Sequence, residues 1–273
     1  NFHNLSPLVG LLPYVEQQSL WESISNPFPV VEPASQVGNF FAPMGPQVAM
    51  SLGNHANARY DPWLTDIPTY RCPSDPGIGL PGQGRTNYGL NIGDSIQFQN
   101  TGYRRQNGTI RNNIVGRAKS TCRGMFFPRQ FIKFRDVLDG LSNTIMAGEL
   151  MTDLGDRHIS TQAVRASGLL HDPSLCQVDN DPERPQFWSP NAPTVNASQI
   201  QRGLKWMNGM AVNTGITTIL PPNREICSNG NNTFTIGIYG PSSRHAGGAH
   251  ILMGDGAVVF MTDSIESGNK REG

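Results

Sequence analysis

The chain has 273 residues, of which 37% are apolar and only 15% charged, both low for a soluble protein. Lys+Arg and Asp+Glu stand at 21 each, so no net charge draws a phosphate backbone, and nucleic acid is set aside as a partner. Gly (30) and Pro (21) make up close to a fifth of the chain, which predicts many short strands and loops rather than long helices.

The chain opens on Asn1-Phe2-His3-Asn4 without an initiator Met or a signal peptide, and so reads as a processed or truncated product. Residues 8–25 carry apolar side chains at Leu11, Leu12, Tyr14, Val15, Leu20, Trp21 and Ile24. That near-helical spacing predicts a helix with Pro13 in its first turn. Five prolines between Pro27 and Pro46 predict an irregular stretch over 26–62. Ile67–Pro76 reads as a short strand ending in a turn, 77–84 as a Gly-rich loop, and Thr86–Ile92 as a second strand. Residues 99–121, polar and rich in Arg and Asn, read as a surface loop. The segment from Phe131 reads as a strand, one helical turn, and a strand over Thr144–Leu150. A loop-rich insertion is expected over 152–200, and further strands within Trp206–Leu220 and Phe234–Tyr239. A hairpin closes the chain, pairing Ala249–Met253 with Ala257–Met261 about Asp255-Gly256, where the glycine is expected at positive φ. Nothing repeats at a fixed period, and no run reaches the ~18 apolar residues of a membrane span.

Four cysteines, Cys72, Cys122, Cys176 and Cys227, are too widely spaced for a zinc ribbon. In a loop-rich chain an even number of them suits an oxidising compartment. Pairing sequential neighbours gives Cys72–Cys122 and Cys176–Cys227, each closing a loop worth ~4 kcal/mol. Four buried thiols are the alternative.

No two of the six histidines stand at H-x3-H or H-E-x2-H spacing, so no metal and no cofactor is expected. His245 and Asp255 stand ten residues apart. Either His245 braces the hairpin through Asp255, or the two form a catalytic pair needing a nucleophile, for which Ser242 and Ser243 are near but lack a G-x-S-x-G elbow. Asp136, Asp139 and Glu149 surround Asp139-Gly140-Leu-Ser-Asn143-Thr. Hard oxygen ligands there would suit calcium, and the other reading is a turn at Asp139-Gly140 capped by Ser142 and Asn143. Arg104, Arg105, Arg111 and Arg117, with Phe98 and Tyr103, read as a solvated face or a subunit contact. Trp63, Trp188 and Trp206 sit in loop-like surroundings, where they would either stack on sugars or pack in a core.

Four segments carry a resemblance: Ser6 to Gln18, Ile67 to Pro76, Asp139 to Glu149, and Arg244 to Gly256. In this order they resemble a pilin-like, type II secretion pseudopilin-like family of planctomycetes, of unknown function, with a C-terminal H-x9-D-G motif. Thr214–Asn223 adds to the match, which spans nearly the whole chain. The resemblance implies a single α+β pilin-like head over 1–273, with a short N-terminal helix on an antiparallel sheet and long loop insertions. It also implies an apolar helix ahead of Asn1, missing here, as the only membrane contact, with the precursor anchored in the inner membrane. The expected function is structural and non-catalytic: a subunit of a pilus, pseudopilus or other cell-surface filament. Partners would be copies of itself or other pilin-like subunits, with a glycan or surface protein as the other class. An extracytoplasmic solute- or glycan-binding module, with Trp63, Trp188 and Trp206 stacking on sugars, is the alternative. A hydrolase built on His245 and Asp255 stands third. The site residues carried forward are His245, Asp255, Gly256, Asp139, Gly140, Asn143 and Glu149, with the four cysteines.

Overall fold

A computed structural model of the chain describes residues 4–50, 52–77, 81–105, 107–177, 179–195, 201–232 and 234–268. The loop expected over 77–84 and the insertion expected over 152–200 lie partly outside the described residues.

The predicted N-terminal helix is present but broken. Helix α1 (Pro7–Leu11) starts where the Ser6 side chain accepts a hydrogen bond from the Leu8 amide, with Pro7 in the first turn. A 3-10 turn over Leu12–Val15 holds Pro13, the chain turns left-handed at Glu16, and α2 (Gln18–Ser25) follows. Pro13 lacks the amide that would continue α1, which accounts for the break. The buried face is Leu8, Val9, Leu12 and Ile24, whereas Leu11 and Tyr14 face solvent.

The strands are short. They are β1 (Phe28–Pro29), β2 (Phe40–Phe41), β3 (Tyr88–Gly93), β4 (Ile145–Glu149), β5 (Val164–Arg165), β6 (Gly215–Thr217), β7 (Cys227–Ser228), β8 (Gly237–Ile238), β9 (Gly248–Met253) and β10 (Val258–Thr262). The main sheet runs β10-β9-β4-β3-β6. All its pairs are antiparallel except β3 with β6, so the sheet is mixed rather than antiparallel as expected. The long excursion from Gly93 to Gly215 lets the chain re-enter in the same direction, which a hairpin cannot do.

Three sequence expectations change. The strand over Ile67–Pro76 is a 3-10 turn at Pro68–Tyr70 followed by turns, because prolines 68, 73 and 76 remove ladder donors. Phe131 forms no strand and is 99% exposed. The polar loop over 99–121 ends in a helix, Val115–Thr121.

Tyr60, Trp63, Tyr70 and Trp206 join α1 and α2 to Leu90 of β3 in one core. The tryptophan indoles Trp63, Trp188 and Trp206 are at most 1% exposed and donate to the carbonyls of Pro46, Gln162 and Thr65. None offers a face to a sugar. A second core gathers Ile159, Val164, Leu169, Trp188, Leu220 and Ile238 around the Cys176–Cys227 disulfide, whose Cα atoms are 5.6 Å apart. Among the described residues no helix is long and apolar enough to cross a membrane.

Candidate functional site

Glu149 is the last residue of β4, and its carboxylate is buried against the start of β9. Its Oε2 accepts the His250 amide at 2.8 Å and lies 3.2 Å from His250 Nδ1. Its Oε1 lies 3.3 Å from His245 Nε2. The imidazoles of His245 and His250 meet edge to face at 5.2 Å, and His250 meets Phe260 of β10 at 5.1 Å.

Cys72 completes the group. Its Sγ is 3.8 Å from His245 Nε2. The loop carrying it is fixed by polar side chains rather than by a strand. The Cys72 amide donates to Asn87 Oδ1 at 3.0 Å, and Asn87 Nδ2 donates to Asp75 Oδ2 and to the Leu150 carbonyl. Asp75 in turn accepts the amides of Gly77 and Thr152, and Arg71 donates to Thr152 Oγ1. The Cys-Pro-Ser-Asp turn is thereby tied to the β3 entry and the β4 exit. Burial pulls the Arg71 guanidinium below its usual range.

On the other side, Ser242 and Ser243 are occupied by backbone. Ser242 Oγ accepts the Met151 amide, and Ser243 Oγ donates to the Gly248 carbonyl and accepts the His245 amide. Among the described residues neither hydroxyl meets a histidine ring.

The ligand atoms of Cys72, Glu149 and His245 all lie within 4.8 Å of one another. Both partners meet His245 through the same nitrogen, Nε2. A nucleophile–base–acid relay needs the acid on the opposite ring nitrogen, so this is not relay geometry.

The structure separates residues that the sequence placed together. Asp255 is at the hairpin tip and accepts the Ala257 amide at 3.0 Å. His245 is at the hairpin base, so β9, about 20 Å long, lies between them. The tip is the three-residue loop that the expected strands Ala249–Met253 and Ala257–Met261 leave between them, with Met253 bonded to Ala257 and Gly256 at φ 92° as expected. Asp139, Gly140 and Asn143 form a local turn, in which Asn143 Nδ2 donates to the Asp139 carbonyl. Asp136 caps Lys133, and Glu149 faces the histidines, so the three carboxylates do not converge on a calcium ion.

The Cys72–Cys122 pairing is not formed; both are free thiols. Cys72 turns to His245, whereas Cys122 turns to the Gln97 carbonyl at 3.6 Å. Burial pushes the Cys122 thiol up to about 12, which makes it unreactive. Arg104 and Arg117 of the basic–aromatic patch lie over the rings of Tyr103 and Phe98.

The sequence reading did not find the cluster because its members are 77 to 173 residues apart. One signal was present. The segments Ile67 to Pro76, Asp139 to Glu149 and Arg244 to Gly256, which carry the family resemblance, each supply one member.

The mixed α/β fold and this cluster at the end of its main sheet define the class of protein only broadly. The family model described as SBP_bac_10, protein of unknown function (DUF1559), matches residues 1–268, and the chain belongs to that family. No curated protein and no solved structure shows significant similarity to it.

Proposed function

We propose that the protein is a non-catalytic structural subunit of a cell-surface assembly, a pilin-like head displayed outside the cytoplasm. The observation that supports this most is strand β10. It is the outer strand of the main sheet, and among the described residues no strand pairs with its free side. Val258, Val259 and Phe260 are 64%, 40% and 45% exposed, so apolar side chains emerge on both faces of an open edge. From Ala257 to Thr262 there is no charge and no proline, the usual protections of an edge strand. An unprotected edge of this kind fits another strand, and the self-complementary partner is a second copy of the chain. The Cys176–Cys227 disulfide suits an extracytoplasmic site.

The test is assembly of the purified chain, followed by sedimentation and electron microscopy, with Val259→Lys as the probe. The wild type is expected to associate, and the variant to keep its circular dichroism but stay monomeric. Association indifferent to the lysine would defeat the edge reading. A hydrolytic activity lost in a folded His245→Ala variant would defeat the non-catalytic one.

A second reading, a solute- or glycan-binding module, is favoured by one feature. An open cleft of about 520 Å³ is bordered by Phe98, Asn100, Arg117, Asn229, Asn232 and Phe234, which is ring and amide chemistry suited to a sugar. A glycan array that gives no binding removes this reading.

A further inference from the structure

We propose that Cys72, Glu149 and His245 bind a divalent transition-metal ion of the zinc class, at the end of β4 where the hairpin begins. Two of the three donor separations lie close to what such an ion sets, and all three donor atoms lie within 4.8 Å of one another. Bonds of about 2.0–2.3 Å at tetrahedral angles set ligand atoms about 3.3–3.6 Å apart. The nitrogen–oxygen and sulfur–nitrogen separations here are 3.3 Å and 3.8 Å.

Proton count points the same way. His245 Nε2 faces both a carboxylate and a thiol, yet a neutral imidazole nitrogen offers either one proton or one lone pair. One cation among the three satisfies all of them at once. Binding releases the Cys72 thiol proton to solvent, and the resulting thiolate, with the Glu149 carboxylate and a neutral imidazole, cancels the charge of a divalent ion.

The donor set also selects the metal. A sulfur and an imidazole nitrogen suit zinc-like ions, and calcium or magnesium would take an all-oxygen set. His250 is a positioning residue. Its amide and Nδ1 hold Glu149 Oε2, which leaves Oε1 turned to His245. The His245 and His250 side chains are 32% and 44% exposed, so the site is reached from solvent. The site is independent of the assembly reading.

The experiment uses the chelator-treated chain with its disulfide intact. Zn²⁺ is titrated by calorimetry, and Co²⁺ is used as a spectroscopic probe. One equivalent of Zn²⁺ is expected. The thiolate-to-cobalt charge-transfer absorption should persist in Cys122→Ser and vanish in Cys72→Ser. His250→Ala should weaken Zn²⁺ binding by about tenfold. In the wild type, Zn²⁺ should slow alkylation of Cys72 by iodoacetamide, a readout that needs no variant. A charge-transfer band that survives Cys72→Ser overturns the proposal. So does an absence of stoichiometric Zn²⁺ binding together with unprotected Cys72.

Discussion

In the main sheet, β9 pairs along five residues with β10, and β4 with three of β9, so backbone ladders satisfy backbone groups. In the neighbouring sheet β5-β7-β8 each strand is two residues long, and side chains take over. Gln99 works there as a strand in miniature. Its Nε2 donates to the Gly237 carbonyl and its Oε1 accepts the Gly237 amide, both at 2.9 Å. Arg202, fully buried, donates to the carbonyls of Ala211, Val212, Gly215 and Gly240. Burial brings its guanidinium down to about 10. Gln201 joins Ala163 to Val195 in the same way. A chain rich in Gly, Pro and Asn cannot form long ladders everywhere. Where it cannot, buried amides and a guanidinium complete the backbone, and a covalent bond closes the loop.

The largest expected effect tests that last element. Replacing Cys176 and Cys227 together by Ser frees a loop whose ends are 51 residues apart, at a cost of about 4 kcal/mol. Urea unfolding measures the loss. Hydrogen exchange should rise first in β5, β7 and β8 while the amides of β4 and β9 stay protected. Uniform deprotection would show that the two sheets open as one unit.

Gln99→Leu comes next. It leaves the Gly237 amide and carbonyl unpaired in a buried setting, for about 3 kcal/mol. A loss below ~0.5 kcal/mol would mean that water replaces the side chain. A smaller effect falls on the main sheet. Gly256 sits at φ 92° with open space around it, so Gly256→Val costs backbone strain alone, about 1–2 kcal/mol. A melting temperature equal to the wild type would show that the hairpin tip re-forms another turn.

The smallest effect is a pH dependence shared by both regions. Burial holds His55 and His158 below their ordinary value of 6.5. Each is also required neutral, since Nδ1 of His55 accepts the Tyr60 amide and Nδ1 of His158 accepts the Ser160 amide. As pH falls through 6.5 the unfolded chain takes up protons first, so their contribution is full above that value and declines below it. Thermal melts from pH 7 to pH 5 should fall less in His158→Gln than in the wild type. An equal fall would assign the acid sensitivity to other groups.

What the sequence made legible follows the same divide. The Thr86–Ile92 and Thr144–Leu150 strands and the hairpin were readable because turn residues bound short apolar runs, and they appear as β3, β4, β9 and β10. Pairing sequential cysteines gave Cys176–Cys227, which is formed, but also Cys72–Cys122, which is not, because Cys72 turns to His245 and Cys122 to Gln97. Buried Arg202, the Gln99 clasp and the indole–carbonyl bonds were not readable, because each depends on a partner distant in sequence. The candidate site was half readable. Its residues stood in conspicuous segments, but local spacing paired His245 with Asp255, and only the sheet order brings β4 beside β9 to set Glu149 there instead.

Strand β6, at the far side of the main sheet, is buried along all three residues, whereas β10 is open. A sheet with a single usable edge has a simple arithmetic of symmetry. Two copies joined β10 to β10 about a two-fold axis consume both edges, and growth stops at a closed pair. Continuous growth requires two unlike faces per subunit. The segment from Phe131 to Leu138, with Phe131, Phe134 and Leu138 at 99%, 64% and 91% exposure, is one stretch that could supply such a face. In an assembly built through β10, the use of a second face of this kind would separate a fibre from a dimer.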